Sequence, residues 1–434
     1  MPLIYGFAGM IALGAVLLML PISSENGQFT SPVNALFTAT SATCVTGLVV
    51  VDTGTYWSHF GQGVILFLIQ VGGLGFMASA TLLLLAFGRK IGLRGRWLIS
   101  QSLGLERLGG MVRLIRRIAI FTLVIECLGA IIFFIAFRTE QPLGTAIWRS
   151  VFTSVSAFNN CGMDIFGNFR SLVGYQNNAL VILTTAGLII FGGISFFVVA
   201  DVIKVRRFHR LLLDSKVVLI TTLGLLALGV LVLLATEYSN GDTLGPLSVP
   251  GKVLNAFFHS VVPRTAGFNS IDVSHMADYS LFFTILLMFV GGAAGSTAGG
   301  IKVNTFGMLV ATIWSVLRGK EHAGAFGKEF TSQHIYRALA LVMLSLTLVA
   351  ITVFVLKITD EKFGFLNLLF ETTSAFGTVG LSTGITPDLS IPGRLIITGM
   401  MFIGRLGPLL LVLSLTQRQQ PAIYRYPQDT VRIG

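Results

Sequence analysis

A short polar motif occurs four times in the chain, each time beginning with Phe and ending ten residues later with Gly. The copies run from Phe37 to Gly47, Phe152 to Gly162, Phe257 to Gly267 and Phe370 to Gly380. Three copies carry Ser-Ala at the same offset, and the third carries Val-Val. Glycine allows a positive φ, which lets successive carbonyl oxygens point one way, and rings of such oxygens can replace the hydration shell of a cation.

We therefore predict that the last three residues of the four copies line a single cation filter. Thr-Val-Gly at 378–380 and Val-Thr-Gly at 45–47 resemble pieces of a potassium-channel filter. The alternative is that the copies are ordinary turns between transmembrane helices, which four copies in register disfavour because irregular backbone is costly in lipid. The predicted filter residues are Val45, Thr46, Gly47, Asn160, Cys161, Gly162, Thr265, Ala266, Gly267, Thr378, Val379 and Gly380.

The composition is that of an integral membrane protein. Of the 434 residues, 53% are hydrophobic and only 11% are charged, whereas soluble domains average about 25% charged residues. Eight apolar runs are long enough to span a bilayer at roughly 20 residues each. They cover residues 3–21, 64–87, 118–137, 179–200, 217–235, 281–290 with 301–317, 338–358 and 395–415.

Each motif copy lies between two of these runs, and a repeated motif at a near-constant spacing indicates one structural unit used several times. We predict an all-α membrane protein with eight transmembrane helices, built from four pseudo-fourfold helix–pore-loop–helix repeats around one central pore. The repeats cover residues 1–92, 110–210, 214–320 and 334–418, followed by a C-terminal tail at 419–434.

The distribution of charge predicts the orientation. The net charge is +11, and the Lys and Arg residues concentrate in the loops at 89–117 and 204–216. The positive-inside rule places these loops and both termini in the cytoplasm. The four motif copies, which we interpret as re-entrant hairpins, therefore enter the membrane from outside. A basic membrane face does not require nucleic acid as a partner. It can contact anionic lipid or an acidic protein surface, and the sequence leaves both open.

The sixth run is interrupted by residues 291–300, which contain five glycines and are unsuited to a stable helix. A glycine-interrupted span in a transporter indicates a site or a moving part, although a tightly packed helix crossing is the alternative. We predict a gate there, consisting of Gly291, Gly292, Gly295, Ser296, Thr297, Gly299, Gly300, Lys302 and, from the last span, Arg405.

Arg405 is included because a cation deep in a span is costly and usually functional; the alternative is that it snorkels to the cytoplasmic interface. The glycines at 72–75, 187 and 192–193 are interpreted as helix-packing positions.

Enzymatic function is not expected. The sequence lacks HExxH, P-loop, GxSxG and paired intramembrane carboxylate motifs, and its His residues are scattered. No organic cofactor is expected. A proton-coupled cation carrier would need ionisable groups along its path, but apart from Glu126, Glu371 and Arg405 the spans are nearly free of charge.

With these features the chain resembles the Trk/Ktr/HKT superfamily of potassium transporters, most closely the bacterial KtrB branch. The resemblance rests on the four span–hairpin–span repeats, the Gly in each hairpin, the glycine-rich break at 291–302, Arg405, and the ending from Tyr426 to Gly434. The sister TrkH branch usually has two additional N-terminal spans, whereas here one span precedes the first hairpin.

The resemblance implies passive K⁺ uptake across the bacterial plasma membrane, often stimulated by Na⁺. It implies a homodimer with one pore per subunit, on a cytoplasmic ring of nucleotide-binding, KtrA-like regulatory subunits. It also implies that residues 291–302 form an intramembrane gate and that Arg405 contributes to the barrier there. In plant relatives a Ser in place of the first filter Gly accompanies Na⁺ preference, so the intact Gly47 supports K⁺; a Na⁺-preferring transporter of the same fold is the nearest alternative.

Overall fold

The structure, a computed structural model, describes residues 2–75, 79, 111–320 and 322–407. Most of the basic loop at 89–117, the tail at 419–434 and the C-terminal parts of the predicted spans 64–87 and 395–415 lie outside these residues. The described part is helical, with one small two-stranded sheet.

In chain order the helices are α1 (Pro2–Met19), α2 (Pro32–Thr43), α3 (Thr53–Tyr56), α4 (His59–Leu74), α5 (Met111–Phe137), α6 (Leu143–Phe158), α7 (Ala179–Gly193), α8 (Phe196–Val205), α9 (Leu213–Glu237), α10 (Val249–Val261), α11 (Asp278–Met288), α12 (Val303–Leu317), α13 (Ser332–Thr359), α14 (Phe365–Gly377) and α15 (Ile391–Leu406). Strands β1 (Gly324–Ala325) and β2 (Lys328–Glu329) pair in antiparallel fashion between α12 and α13.

Four short helices, α2, α6, α10 and α14, lead into the four hairpins. They begin at Pro32, Leu143, Val249 and Phe365. The Phe that opens each motif anchors its helix in the core: Phe37, Phe152 and Phe370 are fully buried, and Phe257 is partly buried against the core.

Three helices of the described part, α5, α9 and α13, are long and apolar enough to cross a membrane, and the bent pair α7–α8 reaches that length only when its two helices are counted together. The helices α1, α4, α11 and α12 are apolar but shorter. The structure is thus that of an all-α membrane protein, while the count of eight spans remains a prediction.

The prediction of one continuous span at 179–200 is wrong, because α7 and α8 meet at an angle of 93°. Ile194 and Ser195 are extended, and the Ser195 hydroxyl caps α8 by accepting a hydrogen bond from the amide of Phe197 at 3.3 Å. The carbonyl of Gly193 at the end of α7 instead accepts the amide of Ala293 at 2.9 Å, so a neighbouring repeat compensates for the broken helix.

The second helix of repeats one and four also ends at a glycine with positive φ, Gly75 and Gly407. Helix α4 begins earlier than predicted because the Ser58 hydroxyl caps it by accepting the amide of Gly61. In the described part the second helix of every repeat therefore ends or breaks close to the hairpins, whereas the sequence indicated a break only in repeat three.

Candidate cation site

Each hairpin has the same backbone conformation where its short helix ends. The last Gly has positive φ, the residue before it has negative φ, and the residue two positions before it again has positive φ. A left-handed conformation costs a non-glycine residue roughly 1–2 kcal/mol, and strain of this kind clusters where surrounding structure enforces a functional geometry. The positive-φ pairs are Val45 and Gly47, Asn160 and Gly162, Thr265 and Gly267, and Thr378 and Gly380.

The four glycines at the ends of the hairpins form a closed ring, hereafter the glycine ring. A Cβ built on each glycine would meet the carbonyl oxygen of the residue before the next glycine around the ring. These pairs are Gly47 with Cys161, Gly162 with Ala266, Gly267 with Val379 and Gly380 with Thr46. Because the fourth hairpin contacts the first, the four copies surround one axis, and none of the ring positions has room for a side chain.

The hairpins differ in what supports them. The hydroxyls of Ser41 and Ser374 accept hydrogen bonds from the amides of Gly47 and Gly380, at 3.0 and 3.1 Å. Ser156, at the same offset, instead donates to the carbonyl of Met163 at 2.6 Å. The third hairpin has Val261 there, so it lacks this brace.

Other side chains support the third hairpin. His259 Nε2 accepts the amides of Ser270 and Ile271, each at 3.3 Å, and fixes the chain just after the ring. Asn160 of the second hairpin donates from Nδ2 to the carbonyl of Arg264 at 3.0 Å. The ring closes in repeat three through contacts that differ from those of the other repeats.

One face of the glycine ring opens into a cavity of about 340 Å³ that the four glycines line together with acidic and amide side chains, among them Asp164, Asp272 and Asn269. Asp164 lies in the loop between α6 and α7, outside the membrane-spanning helices, and its carboxyl accepts the amide of Phe166 at 3.0 Å. Burial raises the pKa of Asp164 to about 7, and the nearby Asp52 adds to this while Arg149 opposes it. Negative charge at this mouth attracts cations.

Two buried carboxylates accept hydrogen bonds from residues that adjoin the hairpins, in roles that the sequence did not indicate. Glu371 of α14 accepts hydrogen bonds from the hydroxyls of Ser382 and Thr386 and from the amide of Thr383, and thereby holds the loop that follows Gly380. The only signal in the sequence is an acid inside an apolar segment.

Glu126 of α5 is the second of these carboxylates. Asn159 Nδ2 donates to it at 2.9 Å, and Gln70 Nε2 donates to it at 3.3 Å. Since Asn159 directly precedes the left-handed Asn160, this cluster fixes the start of the second turn.

The residues predicted to form a gate lie directly against the other face of the ring. Residues 291–302, hereafter the glycine-rich loop, join α11 to α12, and the loop is closed by hydrogen bonds from Gly291 N to Ile301 O at 2.8 Å and from Val303 N to Gly292 O at 3.0 Å. A Cβ on Gly299 would strike the side chain of Thr378, and one on Gly300 would lie 3.2 Å from Gly377. The loop therefore contacts the fourth hairpin at the ring.

Arg405 contacts the glycine-rich loop directly. The Arg405 guanidinium donates to the carbonyl of Thr297 in the loop and to the carbonyl of Gly72 at the end of α4. The Lys302 ammonium donates to the carbonyls of Ala298 and Gly299 within the loop. Thr297 is held from a third side, because its hydroxyl donates to Gly192 O at 3.0 Å. Repeats one, two and four are thus all tied to the loop from repeat three.

Most of the glycines interpreted as packing positions contact hairpins. A Cβ on Gly72 would strike the Thr43 carbonyl, one on Gly73 the Asn159 side chain, and one on Gly192 the Phe158 carbonyl. Gly75 and Gly187 have no neighbour within 4 Å of the Cβ position. Packing is confirmed at Gly72 and Gly192 against hairpin backbone and at Gly73 against a hairpin side chain, and it is not found at Gly75 and Gly187.

Comparison with known proteins identifies cation uptake proteins as relatives of this chain. The chain is 44% identical over 429 residues to the Ktr system potassium uptake protein B of Bacillus subtilis, covering 99% of this chain and 95% of that protein. It is 40% identical over 434 residues to the potassium/sodium uptake protein NtpJ of Enterococcus hirae, covering 99% and 96%. The crystal structure of the potassium transporter TrkH from Vibrio parahaemolyticus superposes with a TM-score of 0.75 at 17% identity, over 97% of this chain and 84% of that one, and shows a shared fold.

The family model "TrkH: Cation transport protein" matches residues 4–426. That range contains all four hairpins, the glycine-rich loop and Arg405. The resemblance to the Trk/Ktr superfamily drawn from the motifs is thereby confirmed, and the chain belongs to the TrkH family of cation transport proteins.

Proposed function

We propose that the protein conducts K⁺ passively through the glycine ring, with the carbonyl oxygens of the residues at 45–47, 160–162, 265–267 and 378–380 as ligands. The observation that carries this proposal is the closed ring of four hairpins with the same pair of left-handed residues in each. Carbonyls from four sides can replace the hydration shell of a monovalent cation. The ends of α2, α6, α10 and α14 lie three to six residues before the ring, so their negative dipole ends favour a cation there.

K⁺ is preferred as the substrate because the names of the Bacillus and Vibrio alginolyticus relatives, at 44% and 41% identity, specify potassium uptake. The second candidate is Na⁺, supported by the Enterococcus relative that is named for both ions. Na⁺ as a stimulating ion is compatible with either. A proton-coupled carrier is disfavoured because the glycine ring itself consists of backbone and uncharged side chains.

We further propose that the glycine-rich loop and Arg405 control the flux. The loop lies against one face of the ring, and Arg405 ties it to α4. A fixed positive charge beside a cation path raises the barrier to entry, strongly where water is sparse. The closed state would then persist until the loop is moved aside.

A cytoplasmic regulatory partner would supply that movement, in line with the relatives named as parts of Ktr systems. The run at 204–216 offers a basic surface for such a partner or for anionic lipid, since Lys204, Arg206, Arg207 and Arg210 are exposed there, whereas Lys216 is buried. We propose a homodimer in the bacterial plasma membrane with both termini in the cytoplasm, organised as the four repeats given above.

Flux of Rb⁺ into vesicles containing the purified protein tests the proposal. We expect uptake that follows the Rb⁺ gradient, is unaffected by a pH gradient, and is displaced by K⁺ at much lower concentration than by Na⁺. Displacement by Na⁺ at equal concentration would favour the second candidate. Uptake that requires a pH gradient would contradict passive conduction.

A further inference from the structure

A buried arginine beside the glycine ring is unpaired. Arg264, three residues before Gly267, is only 6% exposed, and its Nε and Nη2 atoms are buried without a hydrogen-bond partner among the described residues. The guanidinium has five N–H donors and carries its charge at all ordinary pH values. A buried charge is normally paired, because leaving it without a partner is costly.

Other buried or half-buried cations of the described part have acceptors: Lys216 donates to the carbonyl of His209 and Lys252 to that of Tyr238, each at 2.7 Å. Arg394 donates to the side chain of Asn34 and to the carbonyls of Leu389 and Pro387, at 2.8, 3.0 and 2.7 Å. Arg405 bridges two carbonyls, and Lys302 donates to two more. No described side chain or backbone carbonyl accepts a hydrogen bond from the Nε or Nη2 atom of Arg264.

A small cavity adjoins Arg264 and is the place for a missing partner. Its volume is about 20 Å³, and apolar side chains such as Ile189, Leu226 and Val261 form much of its wall. Thr222 contributes a hydroxyl and Gly292 a stretch of backbone. No carboxylate is among the described residues that line it. A cavity needs roughly 10–15 Å³ to hold one water-sized particle, so this one has room for a single small guest.

We propose that this cavity binds one monatomic anion of halide size, with the Arg264 guanidinium as its principal ligand and the Thr222 hydroxyl as a second donor. A water molecule could accept hydrogen bonds from the guanidinium but would leave the buried charge unneutralised. A halide satisfies the donors and supplies the opposite charge, and its size fits a cavity that excludes phosphate or a carboxylate group. The anion site lies between the third hairpin and the start of the glycine-rich loop.

The site has a consequence for transport, which rests on the proposed function. The Arg264 carbonyl accepts a hydrogen bond from Asn160, so the arginine belongs to the framework of the ring. Its uncompensated charge would repel a cation entering the ring, and a bound halide would remove most of that repulsion. Halide is therefore expected to accelerate cation flux.

Binding and transport are tested separately. Crystals or a detergent-purified sample of the whole chain are exposed to bromide, and anomalous diffraction is collected at the bromine edge. In parallel, thermal unfolding is followed while bromide replaces gluconate at constant K⁺ and ionic strength. We expect a bromine peak within hydrogen-bond distance of the guanidinium and a saturating rise in Tm on the order of 2 °C.

Arg264→Gln should abolish both the peak and the rise in Tm, whereas the matched variant Arg394→Gln, which removes an arginine whose three nitrogens each have an acceptor, should retain them. The absence of a bromine peak in the parent protein, or an equal rise in Tm in Arg264→Gln, would overturn the anion site even if that variant were poorly folded. Bromide binding without any effect of bromide on Rb⁺ flux would keep the site and reject its link to the proposed function.

Discussion

The glycine ring and the glycine-rich loop are in contact, yet they use glycine in opposite ways. In the ring, one glycine at a fixed offset recurs in all four repeats, and each adopts a positive φ against the next hairpin. In the loop, five glycines are concentrated in one repeat, and only Gly295 and Gly300 have positive φ. The ring gains fourfold geometry from repetition, whereas the loop needs glycine mainly for close approach to its neighbours.

The difference indicates separate roles for the ring and the loop. Each hairpin of the ring packs against the next one around the axis, so no hairpin can shift without displacing its neighbours. The loop is attached by hydrogen bonds to repeat four through Arg405 and to repeat two through Thr297, and Arg405 also bonds repeat one; such contacts can be exchanged for others. Changes in the ring should therefore alter which ion passes, and changes in the loop should alter how fast it passes.

The largest effect is expected from Gly47→Ser. The new Cβ would strike the Cys161 carbonyl, and Gly47 has a φ of +96° that disfavours any side chain. A penalty of about 1.4 kcal/mol at one ligand position corresponds to a tenfold change in binding. We expect the preference for K⁺ over Na⁺ to fall by about tenfold or more, measured by ion competition against Rb⁺ uptake.

The matched control for this substitution is Gly187→Ser, a glycine with nothing within 4 Å of its Cβ position. It should leave both the selectivity and the rate unchanged. If Gly47→Ser has the same K⁺ and Na⁺ competition constants as the parent, the glycine ring is not the filter.

A second, smaller effect is expected from Arg405→Ala, which removes a charge beside the loop, one hydrogen bond to the loop and one to the end of α4. We expect Rb⁺ flux to rise several-fold at unchanged selectivity, on the order of 1 kcal/mol in the barrier. Arg405→Lys separates the two causes, since a single ammonium keeps the charge but cannot reproduce a planar fork that bridges two carbonyls. A flux in Arg405→Lys close to that of Arg405→Ala would assign the effect to the bridge.

Flux that stays at the parent level in Arg405→Ala, in protein that folds and reaches the membrane, would place the control elsewhere. A short deletion within 291–300 provides an independent check, because it alters the loop and leaves Arg405 in place. It should raise flux and reduce dependence on a regulatory partner.

The sequence predicted these two regions for different reasons. The hairpins were visible because four copies share a Phe, a Gly and their spacing, and repetition distinguishes a pattern from chance. The loop was visible because five glycines in ten residues are incompatible with a stable helix. Both signals are local, so they could be read without knowing the fold.

What the sequence did not predict depends on contacts between distant segments. The break after Gly193 is satisfied by amides of the loop about 100 residues further along the chain, and the local signals, Gly192-Gly193 and the cap residue Ser195, were interpreted as packing positions within one span. The supports at Glu126 and Glu371 likewise depend on partners that the fold brings together. Single acids in apolar segments indicated a role without indicating which one.

A third prediction sharpens the comparison among the hairpins. Ser374→Ala leaves the amide of Gly380 without its acceptor, and an unmet buried donor costs about 1–3 kcal/mol. We expect a modest loss of K⁺ affinity, measured as an increase of about threefold in the half-saturating Rb⁺ concentration, and a similar loss in Ser41→Ala. Ser156→Ala should have less effect on affinity, because its hydroxyl bonds the Met163 carbonyl after the ring and not the ring amide.

Equal effects of the three serine substitutions would contradict this distinction and assign the serines a common packing role. Val261→Ser in the third hairpin provides the reverse test. If the other contacts of repeat three already hold the ring, the added hydroxyl should not increase K⁺ affinity.

The smallest effect concerns pH at the mouth of the ring. Burial raises the pKa of Asp164 to about 7, so its carboxyl gains a proton as the external pH falls from 8 to 6. Loss of this negative charge should weaken the attraction of cations to the mouth by about twofold, as expected for a unit charge acting through a largely aqueous cavity. We expect the half-saturating Rb⁺ concentration to rise by that factor across this pH range, and Asp164→Asn to show the higher value at both pH values.

Asp272→Asn is the matched control, because Asp272 lines the same cavity but has a pKa below the usual range: burial is outweighed there by hydrogen bonds from Ser274 and by the neighbouring His275. That variant should raise the half-saturating concentration equally at pH 6 and pH 8 while the pH dependence due to Asp164 persists. A pH dependence that survives in Asp164→Asn would show that another group controls the charge at the mouth.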